Sequence, residues 1–295
     1  GQKIELWNAL IERNSGYGID LNSWLGQAEL HNAYVIANYS DGVRAGRMER
    51  LVFEEVDVQR NLGAGVVADS AYVELWTSDV LDNVGPALYL GPGSRGAIEM
   101  GHFGSGPGAI IEGVESLHVR TSHFENAPVG LELIDSAPVL EKNSFFGSAV
   151  GLRVEGSRVP SSLSANSFID NATALENRTG LSILAAGNYW GTADSTAIAG
   201  LIRGAVDFSG FLSEEPDPTA VDDGEARSLR FALGLGYPNP FNAGVTIPFE
   251  LAYQARATLS VYDVLGRNIA TLVDQVLVGG SHSAAWDGRD KWGQP

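Results

Sequence analysis

The chain has 295 residues, no cysteine and a formal net charge of −17 at neutral pH. The lack of cysteine excludes disulfides and a cysteine nucleophile, and no basic patch is present to displace counterions from phosphates, so nucleic acid is not an expected partner. No run of about 18 apolar residues occurs, so no transmembrane segment is predicted.

An internal repeat dominates the first two thirds of the chain. A tiny residue followed by an aliphatic one recurs at spacings of 21 to 24 residues, in Gly18-Ile19, Gly42-Val43, Gly65-Val66, Ala87-Leu88, Ala109-Ile110, Gly130-Leu131, Gly151-Leu152 and Ala174-Leu175. Four residues before each pair stands a residue that tolerates a tight turn: Asn14, Asn38, Asn61, Asn83, Ser105, Asn126, Gly147 or Asp170. Apolar and polar residues alternate nearby, as strands require. A repeat this short buries its apolar face only by stacking, so we predict a parallel β-helix of about eight to nine coils over residues 1–212.

An aromatic residue enters the repeat at a fixed place, in Phe103, Phe124, Phe145 and Phe168. We interpret this column as an aromatic stack inside the solenoid. A platform for stacking carbohydrate is the alternative.

The outward positions offer little catalytic chemistry. Asp57, Asp79 and Asp82 lie on neighbouring coils but not clearly in one column, so neither a catalytic residue nor a metal site or cofactor is predicted. His102 and His123 lie one 21-residue coil apart, each directly before a phenylalanine of the stack, and are expected to project outward about 4.8 Å from one another. We interpret them as an incidental surface ladder, with a shared metal ion or acid–base chemistry as the alternative.

The last coil ends with Asn188-Tyr189-Trp190-Gly191, which resembles the terminus of right-handed parallel β-helix proteins of the pectin-lyase-like group. The resemblance covers roughly residues 4–212 and implies a right-handed parallel β-helix. Its group includes lyases, hydrolases, adhesins and inert spacers, so it implies no single function.

Residues 213–228 carry six acids against a single arginine, which predicts an extended, solvated, acidic linker. Residues 229–295 then show short alternating strands, such as Val245, Ile247 and Phe249, at about 12-residue spacing. This pattern predicts a small β-sandwich.

Motifs in this last segment resemble the C-terminal sorting domain of type IX secretion cargo and, equally, the immunoglobulin-like domain of flagellar hook-capping proteins. The motif residues are Tyr237, Pro238, Asn239, Pro240, Phe241, Asn242, Tyr262, Asp263, Gly266, Arg267, Trp286, Asp287 and Gly288. The first resemblance implies recognition by the outer-membrane secretion machinery and delivery outside the cell or onto its outer surface.

Both chain ends lead to expectations about the parent protein. The start lies within a coil-like sequence without a leader, so we expect a mature or trimmed piece of a longer product. The sorting family continues for one or two strands beyond the Trp-Asp-Gly block, so we expect the final strands to be lost by truncation. Strand donation from a neighbouring chain is the alternative.

The sequence therefore predicts an all-β protein, with a right-handed parallel β-helix followed by a small immunoglobulin-like β-sandwich. The predicted function is a secreted or cell-surface structural, adhesive or glycan-binding role, including self-association into a filament or other assembly. A polysaccharide lyase or glycoside hydrolase is the alternative, and a flagellar-type scaffold is a third, supported only by the sandwich.

Overall fold

The computed structural model describes residues 2–216, 232–234, 236–237, 244–251, 255–262, 267–277 and 280–289. The chain divides into two units, Gly1–Pro218 and Thr219–Pro295. The first unit is a parallel β-solenoid of about nine turns over residues 3–207, and the second contains small antiparallel sheets. The prediction of a nearly all-β chain built on a parallel β-helix is confirmed.

Three stacks of parallel strands form the solenoid, and each coil adds one strand to each stack. Stack 1 contains Lys3–Trp7, the first halves of Gln27–Ile36 and Arg50–Gln59, then Tyr72–Trp76, Arg95–Glu99, Ser116–Arg120, Val139–Glu141 and Ser162–Ser164. Stack 2 contains Leu10–Glu12, the second halves of the same two long strands, then Asp79–Leu81, His102–Gly104, His123–Glu125, Ser144–Phe146 and Ser167–Ile169. Stack 3 contains Ile19–Leu21, Val43–Gly46, Val66–Asp69, Leu88–Leu90, Ala109–Glu112, Val129–Ile134, Val150–Glu155, Thr173–Asn177 and Ile202–Arg203.

Strand alternation places the core inside these stacks. In stack 3, Leu131 and Leu133 are fully buried while Glu132 between them faces outward and pairs with Arg153 of the next coil. Since successive side chains of a strand point to opposite faces, every coil contributes apolar residues to one continuous interior column. The solenoid therefore has a filled, largely apolar interior.

The predicted internal phenylalanine stack is present. Ring centroids are 5.2 Å apart from Phe103 to Phe124 and from Phe124 to Phe145, and 4.6 Å apart from Phe145 to Phe168. All four side chains are fully buried, which rules out the carbohydrate-platform alternative for them. The stack continues to Trp190, 4.7 Å beyond Phe168, which the sequence prediction did not include.

The predicted turn column is correct in the later coils and wrong in the earlier ones. Ser105, Asn126, Gly147 and Asp170 have the left-handed backbone expected, with φ between 52° and 64°. In the earlier coils the left-handed residue comes one position sooner, at Arg13, Ala37, Arg60 and Asp82.

The asparagines that directly follow the left-handed residues of the earlier coils have a different structural role. Asn38 and Asn61 are fully buried, and Asn83 is nearly so. The side-chain amide of Asn38 donates to Asn61 Oδ1 at 2.9 Å, and that of Asn61 donates to Asn83 Oδ1 at 3.0 Å. A second ladder of Asn143, Asn166 and Asn188 lines the corner between stacks 1 and 2. Each ladder satisfies buried polar groups from coil to coil.

One position of the tiny-residue column is also corrected. Leu88 pairs with Ala109, and Ala109 pairs with Leu131, so Gly108 rather than Ala109 occupies the column. The corner from Ser105 to Gly108 is shorter than the corner from Asp82 to Ala87, so a fixed spacing is misleading here.

The C-terminal part of the first unit includes the helix Ser195–Leu201 and the paired strands Ile183–Leu184 and Val206–Asp207. The Asp194 side chain caps the helix by accepting a hydrogen bond from the Thr196 amide. Within the described ranges, no helix is long and apolar enough to cross a membrane.

The described residues of the second unit form two antiparallel sheets. Ala232–Leu233, Val245–Leu251 and Gly280–Trp286 form one, and Ala255–Tyr262 pairs with Asn268–Leu277 in the other. The strand predicted from the alternation of Val245, Ile247 and Phe249 is present as Val245–Leu251. The immunoglobulin-like arrangement stays a prediction.

Candidate functional site

The two predicted histidines face outward from stack 2. His102 pairs in register with His123. Both face outward because Phe103 and Phe124, the next residues of the same strands, are buried in the core. The imidazole centroids are 6.1 Å apart and the rings meet edge to face at 74°.

Two aspartates continue this outward column, contrary to the sequence prediction. Asp57 pairs with Asp79, and Asp79 pairs with His102, so Asp57, Asp79, His102 and His123 form one line over four coils, named here the Asp–His column. Asp82 lies outside it, at a left-handed corner. The signal was present in the sequence, since Val58 and Val80 follow the two aspartates as Phe103 and Phe124 follow the histidines.

Charge interactions link the members of the column to their neighbours. His102 Nδ1 lies 3.6 Å from Asp79 Oδ1, and His102 Nε2 lies 3.1 Å from Oε1 of Glu125, which projects from the adjoining outward position of the same stack. Burial raises the pKa of the Asp57 carboxyl, and the negative charge of Asp79 raises it further. The column therefore contains an aspartate that binds a proton more readily than a free aspartate does.

His123 differs from His102 in its surroundings. Partial shielding from water by its neighbours lowers the pKa of His123, and His102 lowers it further, while Glu125 and Glu215 act in the opposite direction. A neutral imidazole is thereby favoured, and a neutral imidazole can accept a proton or bind a hydroxyl.

Glu215 belongs to the segment predicted to be a solvated linker. Its Oε1 accepts a hydrogen bond of 2.8 Å from the Ser167 hydroxyl, which projects from stack 2. The described residues 213–216 therefore include a contact with the solenoid, and residues 217–228 lie outside the described part of the chain.

A second charged cluster on stack 1 was not predicted. Arg50 bridges Glu29 and Glu74, with Arg50 Nε 2.8 Å from Glu74 Oε2, and the Glu74 side chain is only 1% exposed. His31 Nδ1 lies 3.0 Å from Glu54, and the indole of Trp7 stacks on the His31 ring at 3.9 Å. These contacts connect side chains of successive coils and so stabilise the first coils against one another.

Several residues of the sorting-like motif can be placed in the second unit. Tyr237 and Tyr262 are exposed. The Trp286 indole donates to the Arg289 carbonyl at 2.8 Å, and Asp287 Oδ1 accepts from the Arg289 amide at 3.0 Å. Gly288, between Asp287 and Arg289, has a left-handed φ of 81°.

The remaining motif residues include Arg267, which is exposed. Pro238, Asn239, Pro240, Phe241, Asn242, Asp263 and Gly266 lie outside the described residues. An open cavity of about 500 Å³ is lined by Trp286 and Asp287 together with Ala270 and Leu272.

Across the described residues, no group of three histidine, aspartate or glutamate side chains is placed to hold a metal ion.

The fold defines a parallel β-solenoid protein with an outward Asp–His column. No protein-family model matches the chain, and no curated protein is significantly similar to it.

Proposed function

We propose that this chain is a secreted or cell-surface β-solenoid that binds a polysaccharide along the outward face of stack 2. The observation that carries the proposal is the Asp–His column with an exposed aromatic residue at its head. Tyr34 pairs in register with Asp57, and its side chain is 47% exposed. An aromatic ring packs against the apolar face of a sugar, while carboxylates and imidazoles bind its hydroxyl groups.

The solenoid suits a linear polysaccharide because its outward side chains are regularly spaced. Outward groups repeat at the interstrand distance of about 4.8 Å, so a linear glycan along the column meets a polar group at each coil. A structural or adhesive role at the cell surface, including a place in a filament, follows from the same extended surface.

Binding can be tested with soluble neutral, acidic and amino-sugar polysaccharides by titration calorimetry. Tyr34→Ala and Asp79→Asn should each weaken binding about tenfold, since the loss of one good contact costs about 1.4 kcal/mol. Asp20→Asn is the control, because Asp20 is an exposed acid on stack 3. If no polysaccharide binds the wild-type chain, the proposed role fails. If all three variants bind equally, the ligand lies elsewhere.

A polysaccharide hydrolase or lyase is the second candidate, and the pairing of Asp57 with Asp79 on adjacent coils favours it. Neighbouring strands bring such carboxyl groups to about 5 Å, the separation of a nucleophile and a general acid in retaining glycosidases. The raised pKa of Asp57 suits the acid. Release of reducing ends or unsaturated products, with and without calcium, should then be lost in Asp57→Asn and kept in Asp20→Asn. Absence of product from every bound polysaccharide would leave a binding protein.

Export through a type IX-like pathway is part of the proposal, with the secretion machinery as partner. The sorting-like motifs of residues 229–295 occur in the same order along the chain as in the sorting domain that they resemble, and this supports export by that pathway. In a bacterium with that machinery, the full chain should reach the outer surface, whereas a chain ending at residue 228 should stay in the periplasm with its solenoid folded. Equal export of both chains would contradict the sorting role.

A further inference from the structure

An exposed row of apolar side chains runs along the corner between stacks 2 and 3. Each member stands two residues after the left-handed residue of its coil's corner. The members, named here the apolar ridge, are Tyr39, Leu62, Val84, Pro107, Pro128, Ala149 and Ala172, and all are exposed.

The ridge is fixed by backbone hydrogen bonds. The amides of Tyr39, Leu62 and Val84 donate to the carbonyls of Asn14, Asn38 and Asn61 in the preceding coils. The amides of Ala149 and Ala172 donate to Ala127 and Ser148 in the same way. Six steps of about 4.8 Å make the ridge about 29 Å long. The exposed fractions of Tyr39, Leu62 and Val84 are 66%, 56% and 64%, so their apolar surface faces water.

The size of the side chains falls along the ridge, from tyrosine through leucine, valine and proline to alanine. From this gradient we infer that the ridge binds the ridge of a second copy of this chain in an antiparallel, two-fold arrangement centred near Pro107. Tyr39 then meets Ala172 of the second copy, Leu62 meets its Ala149, and Val84 meets its Pro128. Large side chains face small ones at both ends of the contact and residues of similar size meet at its centre, which is the self-complementarity that a two-fold interface requires.

The charge distribution also favours a second copy of this chain, bound in the antiparallel direction. The chain carries a net charge of −17, but the three corners 105–108, 126–129 and 147–150 contain no charged residue. Two copies can approach along this strip with little repulsion. The exposed Arg60 of one copy lies about one coil from Asp170 of the other in the antiparallel arrangement, which allows two ion pairs. A parallel pair would place Arg60, Asp82 and Asp170 each opposite its own copy.

The contact is expected to be weak. A ridge about 29 Å long and one side chain wide buries less than the roughly 800 Å² per chain of a standard interface. The dimer contact lies along the side of the solenoid and needs no bound glycan. A negative result for the dimer would therefore leave the proposed glycan binding unaffected.

Sedimentation of the 295-residue chain tests the contact. The mass should rise from 31.3 kDa toward twice that value as the concentration approaches about 1 mM. Leu62→Asp and Ala149→Glu, on opposite halves of the ridge, should both keep the chain monomeric while leaving circular dichroism unchanged. Leu184→Asp should dimerise like the wild type, because Leu184 is 74% exposed but lies off the ridge. A wild-type monomer at every concentration, or equal behaviour of Leu62→Asp and Leu184→Asp, would overturn the inference.

Cross-linking tests the direction, since the chain has no native cysteine. A mixture of Leu62→Cys and Ala149→Cys chains should form the mixed disulfide, and Pro107→Cys should cross-link with itself. Leu62→Cys alone should cross-link at least about tenfold more slowly than the mixture. Faster self-linking of Leu62→Cys would show a parallel contact and refute the antiparallel one.

Discussion

At the scale of single residues, the stability of the first coils depends on one arginine. Arg50 lies on the outer side of stack 1, yet it neutralises Glu74, whose carboxylate is 1% exposed. A buried charge without a partner is costly, whereas an exposed ion pair contributes little. Arg50 should therefore matter more than arginines with similar pairings elsewhere.

Arg50→Met is expected to lower the free energy of unfolding by about 3–5 kcal/mol, because it leaves the Glu74 carboxylate buried and unpaired. Arg153→Met is the control, since Arg153 also bridges two glutamates, Glu132 and Glu176, but both are about one fifth exposed. That change should cost no more than about 1 kcal/mol. Urea unfolding followed by tryptophan fluorescence measures the free energy of unfolding of both variants. Equal losses would contradict the special role of Arg50 as the partner of the buried Glu74 carboxylate.

The pH dependence of stability should report on Glu74. Burial raises the pKa of its carboxyl, and Arg50 opposes this shift without reversing it. The folded chain thus holds the proton more tightly than the unfolded chain. The free energy of unfolding should rise as the pH falls through the raised pKa toward the ordinary value of 4.5. This gain is absent above the raised pKa.

Glu74→Gln separates this effect from the other carboxyls of the chain. The difference in unfolding free energy between wild type and Glu74→Gln should shift in favour of the wild type as the pH falls through the raised pKa of Glu74 toward 4.5. A pH-independent difference would mean that Glu74 titrates normally.

At the scale of elements, the aromatic stack holds the later coils in register. Phe145 contacts a ring above and a ring below it, at 5.2 Å and 4.6 Å. The earlier coils place valines in the same column, at Val35, Val58 and Val80. The interior therefore changes from aliphatic to aromatic along the rod.

Phe145→Ala should destabilise the solenoid by about 3–5 kcal/mol, because it opens a cavity between two rings that cannot collapse onto one another. Phe146→Ala provides a matched control on the same strand, since Phe146 faces outward and is 40% exposed. Its loss should cost less than about 1 kcal/mol. Thermal unfolding distinguishes the two, and similar melting temperatures would place Phe145 outside the core.

At the scale of the whole molecule, the solenoid is one-dimensional, because each coil contacts only its neighbours. Its stability is then set coil by coil. The first strand, Lys3–Trp7, has only half-buried and exposed residues, whereas the coils around Phe124 and Phe145 have fully buried interiors.

Amide hydrogen exchange of the 295-residue chain should reveal this gradient. We expect the amides of His123–Glu125 and Ser144–Phe146 to exchange at least about tenfold more slowly than those of Lys3–Trp7, which corresponds to about 1.4 kcal/mol in local opening. Uniform protection across the solenoid would show that the rod opens as one cooperative unit.

The architecture and much of the interior can be predicted from the sequence alone. The coil repeat, the alternation of polar and apolar residues and the phenylalanine column are local or strictly periodic, so stacking follows from the need to bury one apolar face per coil. The positions of His102 and His123 followed from the same periodicity. Trp190 was missed because it replaces phenylalanine in the column.

Which outward residues meet depends on the tertiary structure. Corners of different lengths change the spacing from coil to coil, so the alignment of Asp57 and Asp79 with His102 depends on the register of the stacked strands. The bridge from Arg50 to Glu74 and the apolar ridge have the same origin. Their members are about one coil apart in the chain, and their contact depends on the register of stacked strands.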